Sequence, residues 1–163
     1  MADLGVRPAT PADADEIVAM VRELAEFERE PLSTVEASPA DILRDCFGDN
    51  PRAEVLIGEI DGKVAGFVLF FRNYSTWLAR AGLYVEDLYV RDTARGTGLG
   101  KSLLAAVARL AIAQGCRRLD LAVLDWNPAR GFYERLGFQE KADWRPYRLE
   151  GEALAQLARD ARE

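Results

Sequence analysis

The segment from Gly82 to Gln114 restricts the fold more than any other stretch of this chain. GLYVEDLYV (Gly82–Val90) is rich in the β-branched and aromatic residues that favour strands. RDTARGTGLGKS then places glycines at 96, 98 and 100, and LLAAVARLAIAQ continues as a helix with Leu103, Val107 and Leu110 on one stripe. A strand feeding directly into a glycine-rich turn and a helix commits this part of the molecule to a sheet covered by helices. It also aims the first amides of the helix at a single spot, which carries the positive end of the helix dipole.

The rest of the chain agrees with that layering. Leu4–Arg7 reads as a short strand before Pro8, and Asp13–Glu30 as a helix with Ile17, Val21, Leu24 and Phe27 in register. Ser38-Pro39 is an N-cap and first-turn pair for a second helix through Cys46. Ala53–Ile60 and Lys63–Phe71 flank Asp61-Gly62, a hairpin signal. Gly115 stops the long helix, Arg117–Leu124 reads as a strand apolar enough to lie centrally, and Pro128–Leu136 as a short helix closed by Gly137. Phe138–Leu149 has the pattern of two short strands or a hairpin, followed by a terminal helix over Glu152–Ala161. No repeat or linker interrupts the 163 residues, so a single α/β domain over 1–163 is expected.

Composition narrows the chemistry. There is no histidine, which removes Ser–His–Asp and Cys–His nucleophile systems and most catalytic zinc sites. Proton transfer near neutrality falls to carboxylates, tyrosines, lysines or cysteines. The formal net charge of −6 speaks against non-specific nucleic-acid binding and suits cationic small molecules. Cys46 and Cys116 lie in no metal-binding spacing and read as reduced thiols. With no signal-like N-terminus and no apolar run long enough to span a bilayer, a soluble cytoplasmic protein without membrane contact is expected.

The glycine loop admits several readings. GTGLGKS ends like a nucleotide P-loop, but the glycine that motif needs five positions before its Gly-Lys pair is Arg95 here. A dinucleotide fingerprint fails because the third glycine comes one position early. A bare helix-start turn without a ligand stays open. A diphosphate cradle fits the run Arg95-x-x-Gly98-x-Gly100, with Arg91, Arg95 and Lys101 as local positive charge.

At this point the segment resembles motif A of the GCN5-related N-acetyltransferases, which hold the coenzyme A pyrophosphate in such a loop. NPARGFYERLGF (Asn127–Phe138) resembles a later motif of the same family. LAEFE (Leu24–Glu28), FGDNP (Phe47–Pro51), YSTW (Tyr74–Trp77), YVEDLYV (Tyr84–Val90) and LAVLDWN (Leu121–Asn127) together are similar to its diamine acetyltransferase branch, and most like the thialysine N-epsilon-acetyltransferase type. The resemblance implies a mixed, mostly antiparallel twisted sheet flanked by helices, acetyl-CoA as co-substrate without a metal, a small amine acceptor, and a homodimer.

It also implies residue roles. Glu86 matches the substrate-facing acid and Tyr133 the general acid; an ion-paired Glu86 and an ordinary packed Tyr133 are the alternatives. Asp87 would then lie on the opposite face and be structural. Backbone groups of Leu88, Tyr89 and Val90 would pair with the pantetheine arm, and Arg95, Gly96, Thr97, Gly98, Leu99, Gly100 and Lys101 would take the pyrophosphate. Asn127 and Arg130 complete the cofactor set, although Asn127 stands six positions before Tyr133 where relatives place seven. Phe27, Glu28, Trp77, Asp120, Leu121, Ala122 and Asp143 match substrate positions, with Glu86 among them. Polyamine acetylases of the branch carry an acid where this chain has Ser75, which favours a lysine-like or small diamine acceptor over a long polycation.

Overall fold

The structure, a computed structural model, describes residues 1–162 and divides into two compact units, Met1–Asn127 and Pro128–Glu163. The first unit contains β1 (Leu4–Pro8), α1 (Ala14–Phe27), α2 (Pro39–Phe47), β2 (Glu54–Ile60), β3 (Lys63–Ser75), β4 (Arg80–Val90), α3 (Leu99–Ala113) and β5 (Leu119–Leu121). Its sheet runs β1-β2-β3-β4-β5, antiparallel up to β4, with β5 added in parallel.

Local chemistry sets most of these boundaries. Ser38 and Asp41 form a reciprocal capping box around the start of α2, with Pro39 at its first position. Asp61 and Gly62 both take positive φ, as a two-residue hairpin turn demands, and fix Ile60 opposite Lys63. The helix expected over Asp13–Glu30 stops at Phe27, because Arg29 adopts a left-handed φ of 63° just beyond it.

Alternation along β2 and β3 separates the two faces of the sheet. Val55, Ile57 and Phe67 join Ile17, Met20 and Leu24 of α1 and Ile42 of α2 in one buried cluster. On the other face α3 packs against β1 to β4. Its N-terminal turn approaches closely, since a Cβ on Gly58 would meet Leu99 at 3.0 Å and Leu103 at 3.2 Å. That contact anchors the end of α3 that carries the glycine loop.

Two expected features differ. The strand read over Arg117–Leu124 shrinks to Leu119–Leu121 and ends the strand order instead of lying centrally. Its residues are half-buried, so β5 lacks the second covering face that a central strand has.

The second unit holds α4 (Ala129–Arg135) and α5 (Gly151–Arg159). The strands expected within Phe138–Leu149 do not form. Every residue from Gln139 to Glu150 is exposed and Pro146 has no amide to donate, so no buried face pins a register there.

Candidate active site

The glycine turn is built as expected. Gly96 and Gly98 take φ of 77° and 93°, and Gly98 is the N-cap of α3. Leu99 N–H reaches Thr97 Oγ1 only at 3.4 Å, and the Gly100 and Lys101 amides have no partner among the described residues. No acid stands in this first turn. Unpaired N–H donors at the positive end of a fifteen-residue helix, with the exposed Lys101 beside them, make a mouth that can hold an anion.

The β4 strand that feeds the loop is irregular. Leu69 pairs with Asp87 and Phe70 with Val85, so Glu86 is an extra residue, a bulge. Below it β4 also pairs with β5, at Leu83, Tyr84 and Val85; above it that pairing has ended. The backbone edge of Leu88–Val90 facing away from β3 therefore pairs with no strand, and Arg95 Nε meets it at Val90 O, where an extended ligand could pair instead. Glu86 itself is exposed.

Asp87 sits opposite Leu69, a residue packed on the α1 cluster, and Tyr89 is buried in that cluster. The bulge has reversed the parity of the strand and turned an acid toward α1, where no cation among the described residues pairs with it. Burial, then Glu86, then Glu28, push the Asp87 carboxyl up to about 6. Glu28, the C-cap of α1, is also raised, by burial and by Glu30.

The end of α1 adds an aromatic lining. The rings of Phe27 and Trp126 lie 6.3 Å apart, and the Arg29 guanidinium stands 4.0 Å over Trp126. Arg95 stacks 4.4 Å over Phe27, while its Nε donates to Val90 O at 3.1 Å. Arg91 is not available to the loop: Glu16 and Glu23 hold it at 2.6 and 2.9 Å.

The first unit thus gathers Phe27, Glu28, Glu86, Leu88, Tyr89, Val90 and the Arg95–Lys101 turn around the upper half of β4. Trp77 stands outside this group. It is exposed in the turn between β3 and β4, and the six steps from Arg80 to Glu86 span roughly 20 Å. Asp120 is held by Arg118 at 2.9 Å and by Asn73 at 3.2 Å, with Leu121 and Ala122 following it at the end of β5. Asn127 is buried at the last position of this unit.

In the second unit Tyr133 lies on α4 with its ring 5.3 Å from Phe132 and 5.7 Å, edge-on, from Phe138. Arg130 pairs with Glu140 at 3.3 Å. Asp143 is exposed in the irregular segment. Asp87 and Trp126 are the additions that sequence reading did not make. The adjacency of two acids in mid-strand was the available signal for Asp87; Trp126 had none beyond its motif.

Residues 18–138 match the family model described as Acetyltransferase (GNAT) family. The chain belongs to that family. This acetyltransferase is 40% identical to the thialysine N-epsilon-acetyltransferase of Mus musculus across 97% of its own length and 99% of that protein's. It is 50% identical to the L-ornithine N5-acetyltransferase NATA1 of Arabidopsis thaliana over 58% of the chain and 42% of that protein. Among solved structures, an integron cassette protein of V. cholerae superimposes with a TM-score of 0.78 at 26% identity, over 96% of this chain and 98% of the other. The α/β fold is that of the acetyltransferase family, with five strands, mostly antiparallel, flanked by helices. No helix among the described residues is long and apolar enough to cross a membrane.

Proposed function

We propose that this acetyltransferase transfers the acetyl group of acetyl-CoA to a primary amine of a small lysine-like or diamine acceptor, of the thialysine type, by direct attack in a ternary complex. One observation carries the reading. The bulge at Glu86 ends the β4–β5 pairing and so places an open strand edge, an acid pair and the glycine turn on consecutive residues of one strand and loop. The thioester arm would pair along Leu88–Val90 while its diphosphate meets the amides of Gly96 to Lys101.

A lysine-like amine with a pKa near ~10.4 is neutral in only about one molecule in a few thousand at pH 7. Glu86, through water, accepts its proton; Asp87, held at about 6, is a second acceptor beside it. The amine nitrogen then attacks the thioester carbonyl, the C–S bond breaks, and the Tyr133 hydroxyl gives its proton to the leaving thiolate. The second proton shed by nitrogen as the amide forms returns to the phenolate through solvent. Arg130 and Asn127 would assist cofactor binding. No metal-like group of ligands occurs among the described residues, and the steps above need none.

Ser75, where a polyamine acetylase would present an anion, is buried and receives the Leu78 amide at 3.3 Å. It pairs with Arg80 and stands with Trp77 outside the group around Glu86, so the smaller acceptor rests on the relatives instead. The names of the two relatives, on thialysine and on L-ornithine, point to the same class of substrate. The family match runs across the boundary between the two units, which supports reading 1–163 as one catalytic domain. We further propose a cytoplasmic homodimer, whose test is sedimentation of the purified chain; the exposed Trp144, Tyr147, Leu154 and Leu157 offer apolar surface for it.

Mixing the protein with acetyl-CoA and thialysine should release free thiol. Silence across lysine analogues, ornithine, diamines and polyamines would overturn small-amine transfer. Activity on polyamines or protein termini alone would relocate the acceptor class.

A further inference from the structure

Arg95 meets three kinds of group at once. Its guanidinium lies 4.4 Å over the Phe27 ring and 5.9 Å from the Tyr89 ring, its Nη1 pairs with the Asp92 carboxylate, and its Nε donates to Val90 O. An aromatic face, a carboxylate and a carbonyl are what a primary ammonium on a short carbon chain looks for. Phe27, Tyr89, Asp92 and Arg95 border a cleft of about 570 Å³, lined also by Glu23 and Glu26.

We propose that the Phe27 face and Asp92 form the seat for the cationic end of the acceptor amine, and that Arg95 fills this seat until acetyl-CoA draws it out. The inference rests on the proposed function and adds to it an exchange at Arg95 that couples the two ligands.

Two arguments support the exchange. The first is steric. Val90 O belongs to the strand edge that the pantetheine arm would use, and Arg95 Nε already occupies it. The cofactor therefore cannot pair along that edge without displacing the arginine that covers Phe27.

The second is electrostatic. Arg95 immediately precedes Gly96, at the mouth of the anion-binding turn, so a bound diphosphate would offer it more than one negative charge at close range. In its present place Arg95 has one carboxylate, exposed and screened. Once it leaves, Asp92 loses its cation, and Glu26 has none among the described residues. Glu23 is already neutralised by Arg91, so it does not compete. An incoming ammonium then restores the charge balance that the arginine removed. Such an exchange makes the two ligands cooperative, because each favours the state in which Arg95 is out.

The test is calorimetric titration of thialysine with and without saturating CoA, which is unreactive. For the native chain we expect thialysine to bind about tenfold tighter with CoA present, within the usual range of coupling between sites. In Arg95→Ala, thialysine should bind more tightly than to the native chain when CoA is absent, and CoA should improve it by less than about twofold. In Phe27→Leu, thialysine should bind weakly in both states, while CoA should bind no more weakly than to the native chain, because the stack that holds Arg95 back is gone. Equal coupling in the native chain and Arg95→Ala overturns the exchange, as does weaker CoA-free thialysine binding in that variant. Turnover of thialysine with no coupling in the native chain removes this inference and leaves the function standing. Failure of CoA to bind the native chain overturns both.

Discussion

The hydroxyl of Tyr133 has one assigned task, to protonate a leaving thiolate, and its ring another, to pack between Phe132 and Phe138. Tyr133→Phe separates the two because it deletes only the oxygen. We expect kcat to fall on the order of 10²-fold, as for loss of a general acid, with acetyl-CoA affinity within about twofold. Parallel loss of both in steady-state and binding measurements would make Tyr133 a packing residue. Glu86→Gln addresses the other proton. Without that carboxylate the reaction depends on amine already neutral in solution, and that fraction grows with pH. The kcat/KM profile should therefore move to the alkaline side; an unmoved profile would take the role from Glu86 and leave it with Asp87. The bulge makes this comparison informative, since it points two adjacent acids into different surroundings.

The first turn of α3 acts as an element, through amides that no side chain replaces. Gly98→Ala would put a Cβ at φ 93°, with ordinary space around it but about 1 kcal/mol of backbone strain. Relief of that strain shifts the cap, so acetyl-CoA should bind roughly fivefold more weakly. Gly115, at φ 73° beyond the other end of the helix, is the control. Gly115→Ala carries the same kind of strain, so it should lower Tm about as much as Gly98→Ala and leave acetyl-CoA titration unchanged. An equal effect of both on binding would show that the turn is only a helix start. The β2–β3 turn, the start of α2 and the end of α3 could be read from the sequence because their signals are local: Asp61-Gly62, Ser38-Pro39 and Gly115 each act through their own backbone. The bulge was hidden, because alternation cannot distinguish an inserted residue from a strand covered on both faces. Trp126 was hidden for another reason, since its neighbours Phe27 and Arg29 are about a hundred residues away in the chain. The 138–149 segment misled in the opposite direction: it alternates like a strand but has no face to bury.

At the scale of the whole molecule, two carboxylates pull stability in opposite directions along the pH axis. Asp13 accepts bonds from Arg7 and from the Thr10 amide, and Arg7 also binds Glu59 on β2. These bonds hold its carboxyl near 2, below the ordinary 3.8, so its contribution is complete above about 4 and disappears as pH falls toward 2. Asp87 does the reverse. Its native state keeps the proton up to about 6, so the unfolded chain ionises first, and stability declines as pH rises from about 4 through 6. A displacement of about two units corresponds to about 3 kcal/mol at most. Asp87→Asn preserves the shape and removes the ionisation. In urea unfolding the variant should exceed the native chain by about 1–3 kcal/mol at pH 8, and the two should converge below about pH 4. On the proposed mechanism it should also turn over more slowly, because a proton acceptor near the amine is lost. A stability difference that stayed constant from pH 4 to pH 8 would mean that the Asp87 carboxyl is solvated, and the acidic neighbourhood of the amine would then rest on Glu28 and Glu86 alone.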